Sequence, residues 1–240
     1  MPVQPEAAPR MPDAALPAAL PLIARAPAAL PDSTVPQRPA PVRPAHRLAV
    51  GVLGAPVLSA VRMLRTARAG GNLGLTLEYR LTDRLRVRTG LIRSIKRYAA
   101  ASSDYTPPPE WHWYSSDYEV NAHCRITEIP LDLRYDLVSR PTYTVFAGVG
   151  LTSLLMRNER YAYDYWLNGQ PRTAAAKVRA GTNHVFGLLT VSGGVEHPLG
   201  GRWTGQAEPF WQLPLGGVGA GKVRLSSVGA AFSLKYGLGR

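Results

Sequence analysis

Residues 203–238, WTGQAEPFWQLPLGGVGAGKVRLSSVGAAFSLKYGL, constrain this chain more than any other stretch. They read as two long alternating runs joined by a Gly-rich loop. In the second run Val228, Ala230, Phe232, Leu234, Tyr236 and Leu238 share one face. Ser227, Gly229, Ala231, Ser233, Lys235 and Gly237 share the other. A period of two sustained this long exceeds what a half-buried strand needs. It approaches the roughly 9–11 residues of a tilted strand that crosses a membrane. The expectation is a transmembrane β-barrel.

Eight strand candidates follow residue 46, at about 47–61, 71–81, 84–98, 123–136, 142–157, 183–197, 202–213 and 223–238. Short connections (Leu81–Arg84, Leu137–Arg140, Leu199–Gly201) alternate with long ones at 62–70, 99–122, 158–182 and 214–222. Tight turns at one end and long loops at the other fit an outer-membrane barrel, and an even strand count puts both chain ends on the periplasmic side. The fold class expected is all-β: an eight-stranded antiparallel transmembrane barrel over 46–240, preceded by a tether at 1–45. Tyr79, Tyr135, Tyr143, Trp203 and Tyr236 fall near the predicted periplasmic strand ends, where an aromatic girdle would sit.

The strand faces separate apolar from charged residues. Leu73, Leu75, Leu77 and Tyr79 oppose Glu78 and Arg80; Leu85, Val87 and Leu91 oppose Arg86 and Arg88; Ile129, Leu131, Leu133 and Tyr135 oppose Glu128, Asp132, Arg134 and Asp136. With the apolar sets toward lipid, the charges converge inside, where a lone ion is costly. Glu78, Glu128, Asp132, Glu196 and Glu208 can then neutralise Arg80, Arg86, Arg88, Arg134 and Lys235. An eight-stranded barrel is only wide enough for such side chains, so a packed ionic plug is expected rather than an open channel. Arg80 and Asp136 could equally sit in water at strand ends.

No run of about 18 apolar residues is free of charge and proline, so no helix is a candidate for crossing a bilayer. The net charge of +12 arises from singly scattered Lys and Arg. Without a basic block or nucleic-acid motif, nucleic acid is not an expected partner. Anionic lipid head groups account for the excess. Residues 1–45 hold twelve prolines, which oppose regular structure and read as a disordered or polyproline-like tether in the periplasm. Its apolar piece is interrupted by Pro17 and Pro21 and lacks a nearby basic cluster, so it is not expected to act as a signal peptide. The single cysteine, Cys124, cannot form an internal disulfide and reads as a small wall residue.

A lipid deacylase would use a His-x-Ser pair on the outer wall, yet none of His46, His112, His123, His184 and His197 has Ser two positions later. The GGVGAGK run at 216–222 lacks phosphate-loop spacing and a following Ser or Thr, and reads as a flexible loop. No catalytic residue, metal or cofactor is assigned. The predicted outer loops instead concentrate aromatics: Tyr105, Trp111, Trp113, Tyr114 and Tyr118, then Tyr161, Tyr163, Tyr165 and Trp166. Exposed, they would suit contact with a surface protein or glycan. The competing reading is that they pack on each other and cap the barrel or rest on lipopolysaccharide.

The stretches EIPLDLRY at 128–135, EPFWQLPLGGVGAG at 208–221 and VRLSSVGAAFSLKY at 223–236 resemble the small outer-membrane β-barrel family common in Bacteroidota, within the porin-like and OmpA-like superfamily. The resemblance spans about 47–238. It implies an outer-membrane barrel and supplies no catalytic residues. One departure is that Gly237-Leu238-Gly239-Arg240 follow Tyr236, where such chains often end on an aromatic. The function expected is non-enzymatic: a structural or surface-interaction barrel in contact with outer-membrane lipids and lipopolysaccharide. The alternatives are a lipid-modifying outer-membrane enzyme and a soluble lipocalin-like barrel, whose apolar face would turn inward.

Overall fold

The computed structural model describes residues 46–61, 67–107, 116–179 and 181–239. The tether at 1–45 and Trp111, Trp113 and Tyr114 lie outside these residues. Nine strands run β1 (Leu48–Val61), β2 (Arg68–Arg80), β3 (Leu85–Ala101), β4 (Tyr118–Ser139), β5 (Thr144–Leu167), β6 (Gln170–Arg179), β7 (His184–Gly200), β8 (Trp203–Pro214) and β9 (Leu225–Leu238). Eight of them close a ring in the order β1-β2-β3-β4-β5-β7-β8-β9, every neighbour antiparallel. Closure brings Leu48 opposite Leu238, so the first and last strands of the ring meet. Both lie at the end where β2–β3, β4–β5 and β7–β8 turn tightly.

The ninth strand corrects the sequence expectation of a loop at 158–182. β5 continues to Leu167, and β6 pairs with its upper half alone, from Leu167 opposite Gln170 to Asn158 opposite Arg179. Asn168 and Gly169 form the two-residue turn with φ of 50° and 73°. Asn-Gly is the pair that tolerates positive φ at both central positions, and its twist matches the flanking strands. β4 likewise starts at Tyr118, five residues before the expected boundary. The chain therefore raises a wall of β3, β4, β5 and β6 beyond the rest of the ring.

Inside the ring, alternate residues of every strand meet across a lumen filled by side chains. Gly150 permits one close approach: a Cβ there would stand 2.1 Å from Asp132 Oδ1. Without a side chain at 150, the Asp132 carboxylate lies over β5.

Candidate functional site: the lumen, its cap and the outer wall

The lumen is an ion-paired stack in three levels. At the tight-turn end Glu78 and Glu196 each bridge Arg86, Arg134 and Lys235. Arg86 Nη1 donates to both carboxylates at 2.7 Å, and Lys235 Nζ reaches Glu78 at 2.7 Å and Glu196 at 2.5 Å. Arg86 also forks onto Asp136, whose second cation, Arg80, stands at 3.2 Å. Asp136 and Arg80 thus belong to the lumen rather than to a wet strand end. Arg134 is fully buried, donates to Gln206 at 3.1 Å, and lies 3.6 Å over the Phe146 ring.

At the middle level Arg88 is held between Asp132, at 2.8 and 2.9 Å, and Glu208. Highest, Lys96 reaches Glu128 at 3.1 Å, Gln212 at 2.6 Å and Ser227 at 3.2 Å. All nine residues named as a lumen network (Glu78, Arg86, Arg88, Glu128, Asp132, Arg134, Glu196, Glu208, Lys235) are buried and in contact with an opposite charge. Sequence reasoning missed Lys96, Gln206 and Gln212. Lys96 shares its strand parity with Arg86 and Arg88, and that signal was available. The gain is geometric: the charges are met by two or more partners, except Asp132, which takes two bonds from Arg88 alone, and this offsets their removal from water. Six cations and six carboxylates balance within the stack. A void of about 50 Å³ remains beside Arg88, Asp132 and Glu208, room for about one water.

Above Lys96 the interior becomes apolar apart from the buried carboxylate Glu159. Tyr105, Tyr118, Tyr161 and Tyr163 are buried, which corrects their place as exposed loop contacts and agrees with the competing reading that they pack on each other and cap the barrel. They pack edge-on, with Tyr105 5.8 Å from Tyr161 and 5.7 Å from Tyr163, over Val120, Cys124, Ile126, Leu154 and Met156. The Tyr105 and Tyr163 hydroxyls bond at 2.6 Å, and burial pushes the Tyr105 hydroxyl up to about 12. These rings cap the barrel because they point inward from strands that continue past the ionic stack. Tyr165 is partly buried and Trp166 exposed. They line an open cleft of about 800 Å³ with Tyr118, Glu119, Asp164 and Arg172.

The Gly-rich connection 215–224, expected to be a flexible loop, folds down into this cap. Val218 and Val223 pair with each other and are buried. The Ala220 amide donates to Glu159 Oε2 at 2.9 Å, that of Gly219 to His184 Nε2 at 3.3 Å, and that of Thr106 to the Gly221 carbonyl at 2.9 Å. A Cβ on Gly221 would stand 1.9 Å from the Tyr105 ring. Gly221→Ala is therefore expected to unseat the loop while the ring of strands persists. Amide exchange at 218–221 should speed by about tenfold or more, as for a lost buried hydrogen bond, with exchange in β1–β3 unchanged.

The outer wall carries one further pattern. Below Arg125 of β4, inward residues are charged (Glu128, Asp132, Arg134) and outward ones apolar (Ile129, Leu131, Leu133). From Ile126 upward the chemistry inverts: Ile126, Cys124 and Val120 point in, while Arg125 and Glu119 point out. On β3 the outward set changes in the same way, from Leu91 below to Arg93 and Arg97 above, while the inward set turns apolar higher up, at Tyr98 above Lys96. A strand that keeps its parity but reverses its polarity passes from a hydrocarbon surround into water. Tyr135, in the girdle at the tight-turn end, lies ten residues from Arg125. At about 3.3 Å per residue and a tilt near 40°, that is about 25 Å, the height of a barrel's apolar band. Tyr79, Tyr143 and Trp203 are exposed at the same end, with Trp203 packed 4.9 Å from Tyr236.

No protein-family model matches the chain, and no curated protein sequence does. Among solved structures, Neisserial surface protein A (NspA) is similar at 14% identity and TM-score 0.49, over 80% of this chain and 97% of that one. The outer membrane protein OprG from Pseudomonas aeruginosa is similar at 10% identity and TM-score 0.43, over 80% and 97%. The outer membrane protease OmpT from Escherichia coli is similar at 9% identity and TM-score 0.37, over 80% and 95%. None of these likenesses assigns an activity or a partner here. The membrane reading rests on the wall itself.

Proposed function

We propose that the chain is a non-enzymatic outer-membrane barrel with a closed, ion-filled lumen, its tether in the periplasm and its raised wall at the cell surface. The observation that carries this reading is the polarity reversal at Arg125 and Arg93, which marks where a bilayer would end. Three sequence stretches support placing it with the small outer-membrane barrels of Bacteroidota. The lumen supports a structural role, because its carboxylates are engaged by cations rather than presented to a substrate. Surface contact falls to the cleft around Tyr165 and Trp166, which suits a protein or glycan. Outer-membrane lipids and lipopolysaccharide surround the band.

Membrane fractionation with heat-modifiable gel mobility tests this directly. Recovery in the outer membrane and a shift on boiling are expected of a closed, folded barrel. Soluble recovery without a shift would favour the inside-out, lipocalin-like alternative and sink the proposal.

A further inference from the structure

The six lumen cations are matched by six carboxylates, and the chain nevertheless carries +12. The excess must lie outside the lumen. Much of it is gathered on one side of the barrel. Across β3, β4, β5 and β6, Arg97, His123, Arg160 and Lys177 stand directly opposite one another in one row. The row below holds Arg125 and Arg179, two places apart across Asn158. Among the described residues none of these side chains is in an ion pair. The nearest outward carboxylates, Glu119 and Asp164, lie four residues above His123 and Arg160, about 13 Å along the strand. Asp164 is taken up by Thr173 at 2.7 Å and Asn121 at 3.2 Å.

Like charges directly opposite in a sheet destabilise it, so an uncompensated ladder of this kind calls for an external anion. Its height identifies which. The rows begin where the apolar wall stops, at the level of head groups at the upper edge of the band. The other side of the ring differs: there β7 and the β8–β9 connection expose Val185, Phe186 and Leu215. Lys222 and Arg224 are also exposed on the β8–β9 connection, so the basic surface is concentrated on the β3–β6 side without being confined to it.

We propose that the outward face of β3–β6 binds the phosphate groups of outer-leaflet lipids, with Arg97, Arg125 and Arg160 as the principal contacts. The site deepens, and rests on, the membrane reading above. Arginine suits it, since its planar fork takes a phosphate in two hydrogen bonds. A lipid favours this surface over a soluble polyanion because its acyl chains lie against Leu91, Leu131 and Leu133 while its phosphates meet the rows above.

The test refolds the full chain into phosphatidylcholine nanodiscs containing either bisphosphorylated lipid A or the same lipid without its phosphates. Lipid retained through detergent washing is then quantified by mass spectrometry. The wild type is expected to retain the phosphorylated form preferentially. The combined Arg97→Gln, Arg125→Gln and Arg160→Gln variant should lose at least about tenfold of that retention, and the corresponding lysine triple, which keeps the charge but not the fork, should hold more than the glutamine triple and less than the wild type. Heat-modifiable mobility, run on each sample, reports the fold. An inserted wild type indifferent to phosphate overturns the proposal alone. A chain that fails to insert overturns the membrane reading with it. Binding of soluble heparin that the glutamine triple abolishes, without lipid enrichment, would assign the wall to a surface glycan and equally overturn the proposal.

Discussion

Lys96→Met is expected to lower the unfolding free energy by about 3–5 kcal/mol, the usual cost of stranding one partner of a buried ion pair. Lys96 is 2% exposed and its partner Glu128 1%. After the substitution Glu128 keeps only neutral partners, Gln212 at 3.0 Å and Ser94, beside a void with room for about one water. The double variant Lys96→Met with Glu128→Leu removes both charges and should recover most of the loss, because the attraction within such a pair barely exceeds its desolvation cost. Urea titration of the refolded barrel, read as the fraction of heat-modifiable band, separates the two. Equal losses in the single and double variants would mean that the pair is not coupled as the geometry requires.

Leu75→Arg is expected to cost about 2–4 kcal/mol, the penalty for a cation on the lipid face near the bilayer midplane. Leu75 is 63% exposed and lies outward between Val52 and Leu91. It stands four residues above the girdle residue Tyr79, which places it about 10 Å into the band. The same substitution on a water-soluble barrel would fall within about 0.5 kcal/mol, as for most exposed positions. The size of the effect therefore decides between lipid and water outside the wall. The assay is the folding yield and urea midpoint in lipid vesicles. An unchanged midpoint would favour water.

The ring was legible because its in-membrane strands keep one polarity rule. Apolar sets such as Leu73, Leu75 and Leu77 alternate with charges, and tight turns punctuate them at regular intervals. The lumen followed from the same rule, since the only place for Arg88 and Asp132 opposite a lipid wall is the interior. The rule fails above Arg125. There Tyr98, Val120, Tyr161 and Tyr163 fill the inward positions and arginines the outward ones, so a search for charge-in, apolar-out strands stops too early. The tyrosines were then expected to be exposed, although their parity on β4 and β5 points them inward. The Asn168-Gly169 pair was a readable hairpin signal. Its downstream flank, Pro171 to Lys177, carries alanines rather than β-formers, which weakens the strand signal there. The fold of the Gly-rich connection onto Glu159 depends on contacts between residues more than 50 apart, which no local pattern encodes.

The central claim is that lipid, not water, covers the outward apolar wall. Site-directed spin labelling tests it most directly. Cys124, 2% exposed and the only cysteine, is first replaced by alanine. Single labels at Leu75, Leu131 and Phe232 in the reconstituted barrel should collide with oxygen far more than with a water-soluble nickel chelate, and a label at Arg97 should show the reverse. Preferential collision with the nickel chelate at Leu75, Leu131 and Phe232 would contradict the account and turn the barrel inside out.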